Sequence, residues 1–162
     1  MTANTDRIVR EVTIAASAQR VWELIRVPGW WINEGTIVEV AYDATSDVNV
    51  IWHPQYGGFR VQTVTLEEPW HAAFRWLAGE GEDDESAGGS TSTLVEFWID
   101  PRPGGVTLRV VESGFDSLSV NDEQRRKNID GNTEGWEIEL AAAIDWVERT
   151  EPARRSEPAK RV

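Results

Sequence analysis

The 162-residue chain has the size of one domain, and its 40% hydrophobic and 27% charged residues are typical of a globular protein rather than a disordered one. Its net charge of −12 disfavours nucleic-acid and anionic membrane partners, and its lack of cysteine excludes disulfides, thiolate metal ligands and a cysteine nucleophile. No apolar run approaches the roughly 20 residues of a membrane span and no signal peptide is recognisable, so we expect a cytoplasmic protein without membrane insertion.

The first part of the chain predicts a strand followed by two short helical pieces. Ile8 to Ile14 alternates apolar and polar residues, which is typical of a strand with one buried face. Ser17 can cap a helix from Ala18 to Ile25, where apolar residues recur at helical spacing. Trp30 to Ile32 follows as the second short piece, and Thr36 to Val40 begins another strand.

Five further β-rich runs follow, and the short links between most of them favour antiparallel pairing. They are Val48 to His53, Phe59 to Leu66, Trp70 to Leu77, Thr93 to Ile99 and Val106 to Val111. The sequence therefore predicts a sheet of about seven strands. The link from Gly79 to Ser92 is long and acidic; we expect a disordered tip there, with a functional lid as the alternative.

A long amphipathic helix is predicted from Asn121 to Glu148. Asn121 and Gln124 resemble a capping box, and an inward-facing stripe recurs at helical spacing. The stripe is Ile129, Thr133, Trp136, Leu140 and Ile144. Gly131 and Gly135 each cost up to about 1 kcal/mol relative to alanine, so a close approach or distortion is expected there.

This order of elements predicts an α+β fold with a curved antiparallel sheet wrapped around the C-terminal helix. The concave face of such a sheet is too large for ordinary side chains to fill alone, so we expect a cavity between sheet and helix. Residues 1–150 would form this single domain, and residues 151–162 a disordered charged tail.

Several motifs together carry a resemblance to a known superfamily. They are Val12–Ala16 with Val21–Leu24, the pair Trp30-Trp31, Val110–Phe115 and Gly131–Trp136. On these residues the chain resembles the helix-grip (SRPBCC, START-like) superfamily, which includes START lipid-transfer domains, the birch pollen allergen and polyketide cyclases. It looks most like homologues of the activator of the heat-shock protein 90 ATPase. The resemblance implies a cavity lined by Trp31, Trp76 and Trp136.

Nine tryptophans are the most unusual feature of the composition. Tryptophan suits cores and ligand pockets alike, because it buries a large apolar area and carries one polar N–H group. For any single tryptophan the core is the better expectation, and strand parity alone leaves the directions of Trp52 and Trp98 open. The ligand-binding candidates are Trp31, Trp52, Phe74, Trp76, Trp98, Glu112, Asn132, Trp136, Leu140 and Ile144.

Glu112 is the candidate for chemistry. It follows Val106, Leu108 and Val110 on one strand face, so alternation points it inward. Burial would raise its pKa and suit it to be a general acid or base, or a polar anchor for a ligand. The alternative is a strand-end position, paired with a base or open to water. Neither histidine has a partner at metal-ligand spacing, so we expect no metal and no cofactor.

Three functions stay open. The leading one is a binding module for a small hydrophobic or aromatic molecule, lipid-like or polyketide-like. The second is a cyclase, dehydratase or hydrolase that uses Glu112 as acid or base, and we lean against an enzyme. The third is an interaction protein, a homodimer or a co-chaperone-like partner, whose own side chains fill the cavity.

Overall fold

The computed structural model describes residues 7–77, 92–115 and 121–161, with 150–161 described as backbone only. Its elements in chain order are β1 (Arg7–Ile14), α1 (Ala18–Ile25), β2 (Val48–His53), β3 (Gly57–Glu67), β4 (His71–Leu77), β5 (Ser92–Arg102), β6 (Gly105–Ser113) and α2 (Asp122–Arg161). All neighbouring strands are antiparallel, in the order β1-β6-β5-β4-β3-β2. The predicted α+β class, with an antiparallel sheet and a long C-terminal helix, is confirmed. The acidic link predicted from Gly79 lies outside the described residues up to Ser92, which begins β5.

The sheet has six strands in the part of the chain that the structure describes, not the seven expected. The strand predicted from Thr36 to Val40 is wrong, because this segment pairs with no strand there. Two of its apolar side chains, Ile37 and Val40, are half-buried against the core, and Ile37 lines one groove with Ala142 of α2, whereas Val38 is exposed. A short segment rich in β-branched residues that packs on the core as a loop can therefore resemble a strand in sequence.

One short helix, α1, follows β1, and the second short helical piece predicted around Trp30 is wrong. The chain instead makes turns, and the Ile32 N–H group donates to the Gly29 carbonyl at 2.9 Å. Gly29 has φ +75°, and a Cβ atom there would lie 2.6 Å from Ile51. The glycine therefore lets the chain turn closely against β2 and sends Trp30 and Trp31 into the interior.

Both predicted helix caps are present. The Ser17 hydroxyl oxygen accepts the Arg20 N–H group at 3.1 Å, and the Asn121 side-chain oxygen accepts the Gln124 N–H group at 2.7 Å. These bonds satisfy backbone donors that have no partner within the helix, which explains where α1 and α2 begin.

Helix α2 continues past Glu148, where the apolar pattern ends, to Arg161. That residues 1–150 form one domain and residues 151–162 a separate tail stays a prediction. Within the described ranges, no helix combines the length and the apolar composition needed to cross a membrane.

The core lies between one face of the sheet and the two helices. On β5 the inward positions are Val95, Phe97 and Ile99, each at most 2% exposed. The two helices add Trp22 and Ile25 from α1 and Trp136, Leu140 and Val147 from α2. Of the predicted stripe of α2, Trp136 and Leu140 are buried, whereas Ile129, Thr133 and Ile144 are half-buried.

Candidate functional site

Trp31 is the centre of an aromatic cluster between the sheet and α2. Its ring centroid lies 5.7 Å from Phe74, 5.6 Å from Trp76 and 5.7 Å from Trp136. Trp30 and Phe97 complete its neighbours, and the rings meet in tilted or edge arrangements, which are favourable for aromatic pairs. Because the rings touch one another, they fill this part of the predicted cavity.

A pocket of about 130 Å³ remains beside this cluster. It is lined by Trp31, Asn33, Trp76, Gly131, Asn132, Gly135, Trp136 and Glu139, and we call it the Trp-Gly pocket. Gly131 and Gly135 lie one turn apart on α2, and a Cβ atom built on either meets nothing within 4 Å. The prediction that another element approaches the helix closely at these glycines is therefore wrong. They leave one wall of the Trp-Gly pocket without side chains.

Glu112 lies directly behind this pocket and is 1% exposed, pointing inward as the alternation of β6 predicts. Its carboxylate accepts the Thr93 hydroxyl at 2.6 Å, the Trp136 indole N–H at 2.8 Å and the Asn132 amide at 3.1 Å to each oxygen. Burial raises the pKa of Glu112, and the bonds from Thr93, Trp136 and Asn132 oppose that rise.

The position of Glu112 makes it a link between β5, β6 and α2. Asn132 and Trp136 both donate to its carboxylate and line the Trp-Gly pocket. They therefore separate the carboxylate from the open space, and the arrangement suits an anchor that orients two pocket side chains. The alternative of a strand-end carboxylate open to water is wrong.

Glu139 is a pocket residue that the sequence reasoning missed. It is 7% exposed, and one carboxylate oxygen accepts the Gly35 N–H group at 3.2 Å. The other oxygen, Oε1, is buried and has no hydrogen-bond partner among the described residues. Burial raises the pKa of this carboxyl to about 7, against hydrogen bonds from Gly35 and Asn33 that lower it. Its spacing of three residues from Trp136 was the signal that could have placed it on this face of α2.

The structure brings some of the predicted site residues to the Trp-Gly pocket and leaves others elsewhere. Trp31, Trp76, Asn132 and Trp136 line it, and Glu112 lies behind it. The other three candidates belong to the core rather than to the pocket lining. Phe74 and Leu140 are 0% and 1% exposed, and Ile144 is half-buried against the core.

Trp52 and Trp98 lie on the opposite face of the sheet. Ile51 is buried on β2, so the next residue, Trp52, points outward and is 72% exposed. Trp98 likewise alternates with the buried Phe97 on β5, and its ring stacks on His71 with centroids 3.7 Å apart. The sequence left open which face of the sheet these two residues occupy, and the structure places both away from the pocket.

A larger groove of about 360 Å³ lies between the loop at Gly35 and the later part of α2. Its charged side chains, Asp145 and Arg149, form an ion pair with each other. The buried, unpartnered atoms of Trp31 and Glu139 instead belong to the Trp-Gly pocket, which is why we place the candidate site there. Over the described residues, no group of three or more His, Cys, Asp or Glu side chains is arranged to hold a metal ion.

Comparison with protein-family models gives no match, and neither does comparison with curated proteins. Among solved structures, the fold is similar to protein MLL2253 from Mesorhizobium loti, with a TM-score of 0.67 and 17% identity over 89% of this chain and 98% of that one. It is also similar to the Aha1 dimer from Colwellia psychrerythraea, with a TM-score of 0.61 and 14% identity over 88% of this chain and 96% of that one.

A third similar structure is DynU16, described as a protein of the dynemicin biosynthetic locus. The TM-score is 0.58 and the identity 16%, over 88% of this chain and 47% of that chain. At such identities the likeness concerns the fold alone. These structures support the fold that the resemblance implied.

Proposed function

We propose that this chain is a small-molecule binding domain whose site is the Trp-Gly pocket. The observation that carries the proposal is the bare wall of α2 at Gly131 and Gly135. Two glycines in a helix interior cost up to about 1 kcal/mol each, and no neighbouring atom lies where their side chains would be. Open space for a ligand gives a reason for two residues that the fold does not require.

The lining of the pocket supports the same function. Ligand sites are typically concave and mostly aromatic or apolar, with a few placed polar groups. Here Trp31, Trp76 and Trp136 supply the aromatic walls, and Asn132 and Glu139 supply polar groups. An apolar cavity of roughly 150 Å³ holds benzene. A pocket of about 130 Å³ therefore suits a single ring better than a long lipid or a fused polyketide.

The contacts of Glu112 favour binding over catalysis. A general acid or base must come within hydrogen-bond reach of the proton that it transfers. The carboxylate of Glu112 is already occupied by Thr93, Asn132 and Trp136, and the last two separate it from the pocket. Its role in this proposal is to hold Asn132 and Trp136 in place.

The proposal is tested by filling the pocket. Gly135→Leu adds a side chain to the bare wall, whereas Ala141→Leu adds the same side chain at an exposed position of the same helix. Single-ring aromatic compounds are titrated into each protein by isothermal calorimetry and followed by tryptophan emission. We expect binding to the parent chain and to Ala141→Leu and none to Gly135→Leu. Equal binding to all three proteins, or none to the parent chain, would refute the proposal.

Self-association is a second candidate function, and the edge strand β2 favours it. Val48, Val50 and Trp52 form a stripe of exposed apolar side chains on β2, which pairs only with β3 among the described strands. Exposed apolar edge strands without charge or proline tend to pair with another chain. The similar structure from Colwellia psychrerythraea is described as a dimer. We propose that β2 is the surface through which two copies of this chain would associate.

A further inference from the structure

Two polar groups in the Trp-Gly pocket are buried without a partner. Glu139 Oε1 and Trp31 Nε1 make no hydrogen bond with any described residue, although both side chains line the open space. Glu139 is 7% exposed and Trp31 is 4% exposed. Leaving a buried donor or acceptor unpaired destabilises a protein, and a charged group does so more strongly. A ligand that donates to Glu139 would recover part of this free energy.

The hydrogen-bonding character of the pocket is richer in acceptors than in donors. Asn132 donates its amide N–H group to Glu112, which leaves its carbonyl oxygen as the group that it can offer to a ligand. Asn33 is occupied, since its amide donates to the Trp30 carbonyl, its oxygen accepts the Gly35 N–H group, and its side chain also hydrogen-bonds the carboxyl of Glu139. Among the lining side chains, Glu139 Oε1 and the Asn132 oxygen are thus the acceptors without a partner in the described residues, and Trp31 Nε1 is the donor without one.

The charge around the pocket has one sign. Its lining contains one carboxyl group, that of Glu139, and no lysine, arginine or histidine. The titratable group that approaches from β2 is His53, whose Nε2 atom is 3.3 Å from the backbone oxygen of Asn33. None of the ion pairs found within the described ranges includes Glu139. An anionic ligand would meet repulsion here, and a cationic one attraction.

We propose that the Trp-Gly pocket binds a small aromatic amine in its protonated form, with the ammonium group on Glu139 and the ring against Trp31, Trp76 and Trp136. This inference rests on the proposed binding function and names its ligand class. An ammonium group supplies three donors and no acceptor, which matches the acceptors of the pocket. Tryptophan faces also attract cations.

The test compares three probes of nearly equal shape: benzylamine, which is cationic, benzyl alcohol, which is neutral, and benzoate, which is anionic. Each is titrated by calorimetry into the parent chain, Glu139→Gln and Glu134→Gln at about pH 8, where an ionised Glu139 is available to the amine. Glu134 is an exposed carboxylate on the same helix and controls for the loss of one negative charge.

We expect the parent chain and Glu134→Gln to bind benzylamine at least about tenfold more tightly than benzyl alcohol, and benzoate more weakly still, since charge-assisted hydrogen bonds exceed neutral ones. In Glu139→Gln the affinity for benzylamine should fall to that for benzyl alcohol. Binding of benzyl alcohol and benzylamine with equal affinity, or an amine preference that survives Glu139→Gln, overturns the inference and leaves the binding function standing. Absence of binding by all three probes overturns both.

Discussion

Glu139→Gln tests whether the carboxyl of Glu139 is as deeply buried as the structure places it. The substitution keeps the shape of the side chain and an oxygen that can accept the Gly35 N–H group, and removes the ability to ionise. Burial raises the pKa of Glu139 from 4.5 to about 7 in the folded chain. The free energy equivalent to that difference is at most about 3 kcal/mol.

The sign follows from proton linkage. Well below pH 4.5 the carboxyl is protonated in both the folded and the unfolded chain, so ionisation contributes nothing to the difference between parent and variant. Between pH 4.5 and about 7 the unfolded chain releases the proton and the folded chain keeps it, so the parent loses stability as the pH rises. The glutamine variant does not take part in this loss.

The assay is urea unfolding followed by circular dichroism at several pH values between about 4 and 8, with Glu134→Gln as the matched control. We expect the free energy of unfolding of Glu139→Gln, relative to the parent, to increase by about 2 to 3 kcal/mol across this range. A difference that does not change with pH, or that decreases as the pH rises, would contradict the burial of Glu139.

Three further changes test other parts of the structure. Thr93→Val removes the hydroxyl donor to Glu112 and should lower the free energy of unfolding by about 1 to 3 kcal/mol. Urea titrations of the parent and the variant measure this loss, and an unchanged free energy of unfolding would argue against the bond. Gly131→Ala should raise the unfolding free energy by up to about 1 kcal/mol, because its Cβ atom enters open space; a lowered melting temperature would show an unseen contact. If β2 mediates self-association, light scattering should report a dimer for the parent and a monomer for Trp52→Thr, with unchanged circular dichroism because Trp52 is 72% exposed; a monomeric parent would exclude this function.

The elements of the fold could be predicted because each leaves a local pattern in the sequence. Alternation marked β1 and β6, including the inward direction of Glu112, and a side-chain cap marked the start of α1 at Ser17. The prediction failed where one pattern has two causes. Between Thr36 and Val40, Ile37 and Val40 are half-buried against the core from a loop rather than by pairing in a sheet, and Val38 is exposed.

The candidate site was predicted less completely than the fold. Trp31, Trp76 and Trp136 were assigned to the cavity through the family resemblance, and they do meet there. Trp52 and Trp98 could not be assigned, because the direction of a strand residue depends on which face of the sheet the rest of the chain covers. Glu139 was not predicted, because an acidic residue on an amphipathic helix is normally expected on the face exposed to solvent.

The sequence by itself determined the order of strands and helices, the inward stripe of α2 and the sign of the overall charge, since these depend on periodicity and composition. Whether the tryptophans fill the cavity or line it was decided only by the tertiary structure. That outcome depends on how rings from the loop after α1, from β4 and from α2 interlock in three dimensions, and no spacing within one segment records it. The interlocked rings of Trp31, Trp76 and Trp136 occupy much of the interior, and Gly131 and Gly135 leave beside them the one space of about 130 Å³ to which we assign a ligand.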